Sequence, residues 1–166
     1  IRIPRPVSAD QTCLRDSLLP QMTETLGRNR ARQVGEAAFF EMARVYTRTK
    51  TEPFREETRV AVGLMGAVNR NPLNKRRLVN EGEMFSWLKG ILAGFYVQLT
   101  RDESLSGTEK ENAASLILSD ITPSGYYAAC FKPRRCAQIT LRGQPCGIIG
   151  LLRDDLRREW RIGEPL

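Results

Sequence analysis

The sequence predicts an α/β fold of the α+β kind, a mainly antiparallel sheet flanked by helices, and three observations carry that prediction. Leu14, Leu18, Met22 and Leu26 recur every fourth residue with Leu19 beside them, which places one apolar face on a helix. Two strand-like runs, residues 37–47 and 58–65, are joined by a connection too short to hold a crossover helix, so they pair antiparallel. Residues 136–141 and 146–152 flank the turn-forming Arg142-Gly143-Gln144-Pro145 and read as a hairpin.

Taken in order, the first helix is expected over residues 18–30. Ser17 serves as its N-cap, and Pro20 falls in the first turn, where a missing N–H is tolerated. Glu24, Arg28 and Arg30 mark its outward face. Residues 37–47 alternate and are rich in aromatic side chains, a strand pattern, and residues 58–65 form a shorter apolar strand closed by Gly66. Pro53 breaks the polar connection between them. Residues 69–83 read as a basic loop containing Asn71-Pro72 and the run Lys75, Arg76, Arg77. An amphipathic helix follows, with Phe85, Leu88, Ile91, Leu92, Phe95, Tyr96 and Leu99 on one face. Gly90 and Gly94, one turn apart on it, are read as a place of tight packing. Further strands are expected over residues 113–119 and 126–131. A last basic helix over 154–161 would set Arg153, Arg157 and Arg161 on one side. No internal repeat, low-complexity stretch or linker interrupts the chain, so residues 1–166 are expected to form one domain.

Composition narrows the function classes. Hydrophobic content of 41% and charged content of 27% are ordinary for a globular chain of 166 residues. No apolar run approaches the ~20 residues a membrane-spanning helix requires. The opening Ile1-Arg2-Ile3-Pro4-Arg5-Pro6 lacks the apolar core of a signal peptide and reads as an extended lead-in. Cys13, Cys130, Cys136 and Cys146 form no Cys-x-x-Cys pair, which fits reduced thiols in a cytoplasmic protein. The absence of histidine removes zinc sites of the Cys/His type and the Ser-His and Cys-His nucleophile systems. The acidic set Asp102, Glu103, Glu109 and Glu111 has no metal-ligand spacing, so no metal site is expected, and no phosphate-cradling Gly-x-x-x-x-Gly-Lys loop occurs. A net charge of +7 and a pI near 9.6 favour polyanionic partners, RNA among them.

A more specific signal lies near the start. Leu14-Arg15-Asp16-Ser17-Leu18-Leu19-Pro20-Gln21-Met22-Thr23, with Asn29 after it and Pro6-Val7-Ser8 before it, resembles the opening of the C-terminal, catalytic-like core domain of bacterial phenylalanyl-tRNA synthetase β subunits. That family writes Asn-Pro-Leu-Ser, then Leu-Arg-Thr-Ser-Leu-Leu-Pro-Gly-Leu-Leu, then an Asn. Phe39-Phe40-Glu41-Met42-Ala43-Arg44-Val45-Tyr46 is similar to its Leu-Phe-Glu-Ile-Gly-Arg-Val-Phe strand. Phe85 with Leu88-Lys89-Gly90 is similar to its Asp-Phe-Phe-Asp-Leu-Lys-Gly helix start, although Ser86 and Trp87 depart from it. Phe131-Lys132-Pro133-Arg134-Arg135-Cys136-Ala137 resembles its His-Pro-Gly-Arg-Ser-Ala, with Arg134 standing where the family has glycine. Gly147-Ile148-Ile149-Gly150 matches its Ile-Gly-x-Ile-Gly hairpin, whereas its Glu-Leu-His-Pro is altered to Leu151-Leu152-Arg153-Asp154. These matches keep the family's order and cover nearly the whole chain.

The resemblance implies a class II aminoacyl-tRNA synthetase-like fold without catalytic residues, part of a longer chain. The domain would pack against the catalytic α subunit of an α2β2 enzyme that charges tRNA with phenylalanine. ATP and magnesium would be needed by that enzyme as a whole, with no cofactor in this domain. The implied core and interface candidates are Leu14, Arg15, Leu18, Leu19, Met22, Phe40, Glu41 and Arg44, and Lys75, Arg76 and Arg77 are candidate RNA contacts. A basic RNA-binding domain is one alternative. The other is an active class II-like ligase in which Arg55, from Phe54-Arg55-Glu56-Glu57, and Arg153, behind Gly147-x-x-Gly150, neutralise ATP phosphates. Against it, Thr49-Lys50-Thr51-Glu52-Pro53 before Arg55 is loop chemistry. Solvated or interface arginines are the default reading.

Overall fold

In the computed structural model the described residues are 1–5, 7, 12–48, 51, 53–66, 80–101, 116–121, 129–141 and 143–162. They belong to two compact units, Ile1–Val68 and Asn69–Leu166.

The first unit contains helix α1 (Leu19–Ala31) and strands β1 (Ala37–Thr47) and β2 (Arg55–Met65). The strands pair antiparallel without a break, from Ala37↔Met65 to Thr47↔Arg55. Residues opposite one another in such a pair share a face. One face is covered by α1, and a Cβ added to Gly63 would lie 2.9 Å from Met22 Sδ and 3.3 Å from Leu26 Cδ1. Leu18, Met22, Leu26, Val45, Leu64 and Met65 are buried in this unit. The apolar spacing read in the sequence thus becomes a helix seated on a ribbon. Residues 1–3 and 12–14 run beside each other through Ile3 N–H to the Thr12 carbonyl and Leu14 N–H to the Ile1 carbonyl, both 2.8 Å.

The second unit contains α2 (Glu81–Arg101), β3 (Leu116–Asp120), β4 (Phe131–Leu141), β5 (Gln144–Leu152) and α3 (Asp154–Glu159). The three strands form an antiparallel sheet in the order β3-β4-β5, and α2 packs on β5. Met84, Tyr96, Cys130, Phe131, Cys136, Ile149, Leu151, Leu152 and Ile162 are among its buried apolar side chains.

Most expected elements are present, and the differences have physical causes. Ser17 accepts a hydrogen bond from Leu19 N–H at 3.2 Å, but the residue at the helix cap is Leu18, which makes no side-chain cap bond. Strand β2 starts at Arg55 rather than at residue 58, because Arg55, Glu57 and Arg59 share a face and pair with one another (2.9 and 2.8 Å). Helix α2 starts at Glu81, inside the expected loop. Asn80 and Glu83 cap it reciprocally, Glu83 N–H to Asn80 Oδ1 at 2.9 Å and Asn80 N–H to Glu83 Oε2 at 3.2 Å. Among the described residues nothing lies within 4 Å of a Cβ on Gly90 or Gly94, so the expected tight packing is not seen there. Ile91 and Phe95 on this helix are exposed.

Ala129 and Cys130 are helical, so β4 begins only at Phe131, and residues 122–128 lie outside the described set. The β4–β5 connection is tighter than the four residues expected, because Leu141 pairs directly with Gln144. Helix α3 ends at Glu159, and Arg161 adopts φ +56°, so Arg153, Arg157 and Arg161 do not share a helical face. Asn71, Pro72, Lys75, Arg76 and Arg77 lie outside the described residues.

Two turn glycines separate backbone strain from steric exclusion. Gly66 (φ +73°) would place a Cβ 2.0 Å from the Gly35 carbonyl oxygen, whereas Gly143 (φ +75°) has open space. Gly143→Ala should therefore cost only the left-handed strain, about 1 kcal/mol, and Gly66→Ala distinctly more. Urea midpoints of the two variants measure this, and equal losses would show that the Gly35 contact relaxes freely.

Candidate interaction sites

In the first unit three of the predicted residues, Arg15, Glu41 and Arg44, meet through one side chain. Arg15 Nη1 lies 2.7 Å from Glu41 Oε1 and also donates to Gln21 Oε1. Its Nε donates to the Arg44 carbonyl at 2.9 Å, and its own carbonyl accepts from Tyr46 N–H at 2.8 Å. One guanidinium therefore ties the chain ahead of α1 to the first turn of that helix and to β1. Leu18 and Met22 are buried, and Leu14 and Leu19 are half-buried. Gln21 was not singled out in the sequence, where a polar residue after Pro20 carries no distinguishing pattern.

The β1 register sends Ala38, Phe40, Met42 and Arg44 to the face away from α1. Phe40 is 74% exposed, Met42 67%, and Val60, opposite Met42 on β2, 47%. Arg44 pairs with Glu56 at 2.8 Å. The outer face is thus an exposed apolar strip beside an ion pair. Met42 and Val60 escaped the sequence reading because both faces of the ribbon carry apolar residues, and alternation then fails to mark the inside.

Arg55 and Arg153, the pair an ATP site would need, are each held by a local carboxylate. Arg55 Nε lies 2.9 Å from Glu57, and Arg153 Nη2 lies 2.6 Å from Asp155. Hydrogen bonds from Arg59, with the charges of Arg59 and Arg55, hold the Glu57 carboxyl below the usual range against the opposing effect of burial. Among the described residues no group of three or more His, Cys, Asp or Glu side chains is placed to hold a metal.

In the second unit Lys132 joins three elements. Its ammonium lies 2.8 Å from Asp154 at the start of α3 and donates to Glu81 at the start of α2. Burial pushes the Lys132 ammonium pKa down, but its hydrogen bonds to Asp154 and Glu81 outweigh that effect and raise it. Hydrogen bonds from Lys132 and Arg157 hold the Asp154 carboxyl low. Beside this cluster β4 bulges. Phe131 pairs with Leu152 and Cys136 with Gly150, so four residues, 132–135, face Leu151 alone. Pro133, Arg134 and Arg135 are exposed there, and Arg134 takes φ +61°. The position where the resembling family has glycine is left-handed here.

These features define a class: among the described residues, a mixed α/β protein of antiparallel sheets with three named helices. The chain matches the family described as phenylalanyl tRNA synthetase beta chain CLM domain over residues 1–166, and it belongs to that family. Among its relatives, the phenylalanine–tRNA ligase beta subunit of Geobacillus kaustophilus is 29% identical over 166 residues, covering 99% of this chain and 18% of that protein. The same-named protein of Moorella thermoacetica is 35% identical over 109 residues, 63% of this chain and 13% of that protein. That of Bacillus subtilis is 26% identical over 161 residues, 96% and 18%. The chain therefore spans 18% of the length of the first curated relatives it matches. No helix among the described residues is long and apolar enough to cross a membrane.

Two measurements test this geometry. Arg15→Ala should destabilise by about 2 kcal/mol, and Glu41→Gln by under about 1, because the first removes every bond of a shared charged donor and the second weakens one part-exposed pair. Equal losses in thermal unfolding would remove Arg15 from its central place. Asp154, with its carboxyl pKa lowered by folding, contributes stability that is complete above the unfolded-state value of ~3.9. That contribution is lost as pH falls through the lower folded-state value. Asp154→Asn should lower the urea midpoint at neutral pH and flatten its decline in acid. An unchanged acid decline would show that other carboxylates govern it.

Proposed function

We propose that this chain is the non-catalytic, class II synthetase-like core of a phenylalanine–tRNA ligase β subunit, and that it packs against the catalytic α subunit of an α2β2 enzyme. The observation that carries this reading is the outer face of the β1–β2 ribbon. Phe40, Met42 and Val60 stand exposed on strands whose other face is anchored by α1 and by the Arg15–Glu41 tie. An exposed apolar strip on a rigid ribbon, rimmed by charge, is the surface chemistry of a lasting protein contact. Catalysis, ATP and magnesium then belong to the assembled cytoplasmic enzyme, and Arg55 and Arg153 act within their own ion pairs.

Light scattering on the chain alone and mixed with a phenylalanyl-tRNA synthetase α subunit from the same source tests the proposal. A mixed complex of defined mass is expected, and Phe40→Glu with Met42→Glu should weaken it at least about tenfold, a loss of ~1.4 kcal/mol. A mixture in which both folded proteins keep their separate masses overturns the reading. Undiminished binding by the double variant moves the contact off this face.

A further inference from the structure

We propose that the β4 bulge, with Arg134 and Arg135 exposed on it, is a contact site for the phosphate backbone of RNA. Residues 131–162 carry eight basic and three acidic side chains, so most of the chain's net +7 is concentrated there. Two of the acids are already engaged, Asp154 by Lys132 and Arg157 and Asp155 by Arg153. Arg134 and Arg135 are exposed and have no ion pair among the described residues. Their charge is therefore not spent on packing.

The backbone supports the same assignment. Four residues bulge against one, and at the third of them an arginine holds φ +61°. Glycine takes that conformation freely and an L side chain does not. A strained residue retained on an exposed bulge, with its charge unanswered, points to use rather than to packing. Guanidinium forks match phosphate oxygens two at a time. The bulge carries no aromatic ring on which a base could stack. The contact is therefore to the backbone and independent of sequence, one that positions RNA without reading it. The choice of RNA as the polyanion rests on the proposed membership of a tRNA-charging complex.

The test uses the intact chain, a labelled phenylalanine tRNA transcript and fluorescence anisotropy across a salt series. Arg134→Gly with Arg135→Ala relieves the left-handed strain while removing both charges, so the fold is retained, and thermal melting verifies it. The expected result is roughly tenfold weaker binding at low salt. The slope of log K against log salt should also become shallower by about 1.4 to 1.8, the change expected when two arginines no longer neutralise phosphates. Arg30→Ala with Arg32→Ala, equal in charge but at the end of α1, should leave the slope nearer the parent's. Unchanged affinity and slope in the bulge variant, or equal losses in both variants, overturn the proposal. So does a bulge-dependent affinity for phosphatidylserine vesicles with none for the transcript. Light scattering with the α subunit separates the two readings. The bulge variant should still assemble, and failure of the parent chain to assemble, with its RNA effect intact, would sink the subunit role alone.

Discussion

Eleven consecutive antiparallel pairs between β1 and β2 set the parity of every side chain on the ribbon of the first unit, and its other features depend on that register. A slip of one residue would exchange the two faces, turning Phe40 and Met42 onto α1 and Val45 into solvent. Local chemistry guards against the slip. Arg44 on β1 pairs with Glu56 on β2, and Arg15 holds β1 while Arg59 Nη1, donating to the Asp16 carbonyl at 3.3 Å, holds β2 to the same segment ahead of α1. Gly63 lets the Met22 and Leu26 side chains come close to the backbone, Met22 Sδ 2.9 Å from where a Cβ would stand. A packed helix, a charged tie and a glycine contact thus specify one pairing together, each being too weak to do so alone.

The second unit solves a different problem with arginine and lysine. Lys132 connects the first turns of two helices to a strand, and Arg157 shares its Asp154 carboxylate. With Asp154 and Asp155 in the first turn of α3, the carboxylates favour the helix dipole while also answering the basic side chains. That arrangement uses up nearby negative charge and leaves the bulge arginines uncompensated. Exposed positive charge here is a consequence of how the neighbouring ion pairs are shared, not of composition alone.

The elements whose stabilisation is local and apolar were legible in the sequence. Helix α1, β1 and the β4–β5 hairpin all announce themselves through spacing. Legibility failed where polar groups satisfy one another across the fold. The start of β2 looks like a loop because Arg55, Glu56 and Glu57 are charged, yet Glu57 and Glu56 find cationic partners there. The start of α2 was hidden in the same way, since Asn80 and Glu83 read as loop residues until their reciprocal bonds are seen. Gly90 and Gly94 misled in the opposite sense, because small residues permit close approach without requiring it. Among the site residues, the resemblance singled out Arg15, Glu41 and Arg44, but that they meet shows only in the fold. The division into inward and outward apolar positions shows only there too, because it needs the register.

The two exposed features proposed as contact sites, one in each unit, would suit partners with opposite physics. Burial of Phe40, Met42 and Val60 would gain from exclusion of water, and salt would not weaken it. Contact through Arg134 and Arg135 would gain from counterion release and fade as salt rises. A chain that holds a partner through the first and touches a polyanion through the second keeps assembly constant while the polyanion exchanges. Under the proposed function, that is the behaviour a scaffold needs in an enzyme whose nucleic-acid substrate leaves after every turnover. The Arg134 backbone strain is consistent with that division, because it is carried on an exposed bulge rather than in the packed ribbon, where the loss would fall on the register itself.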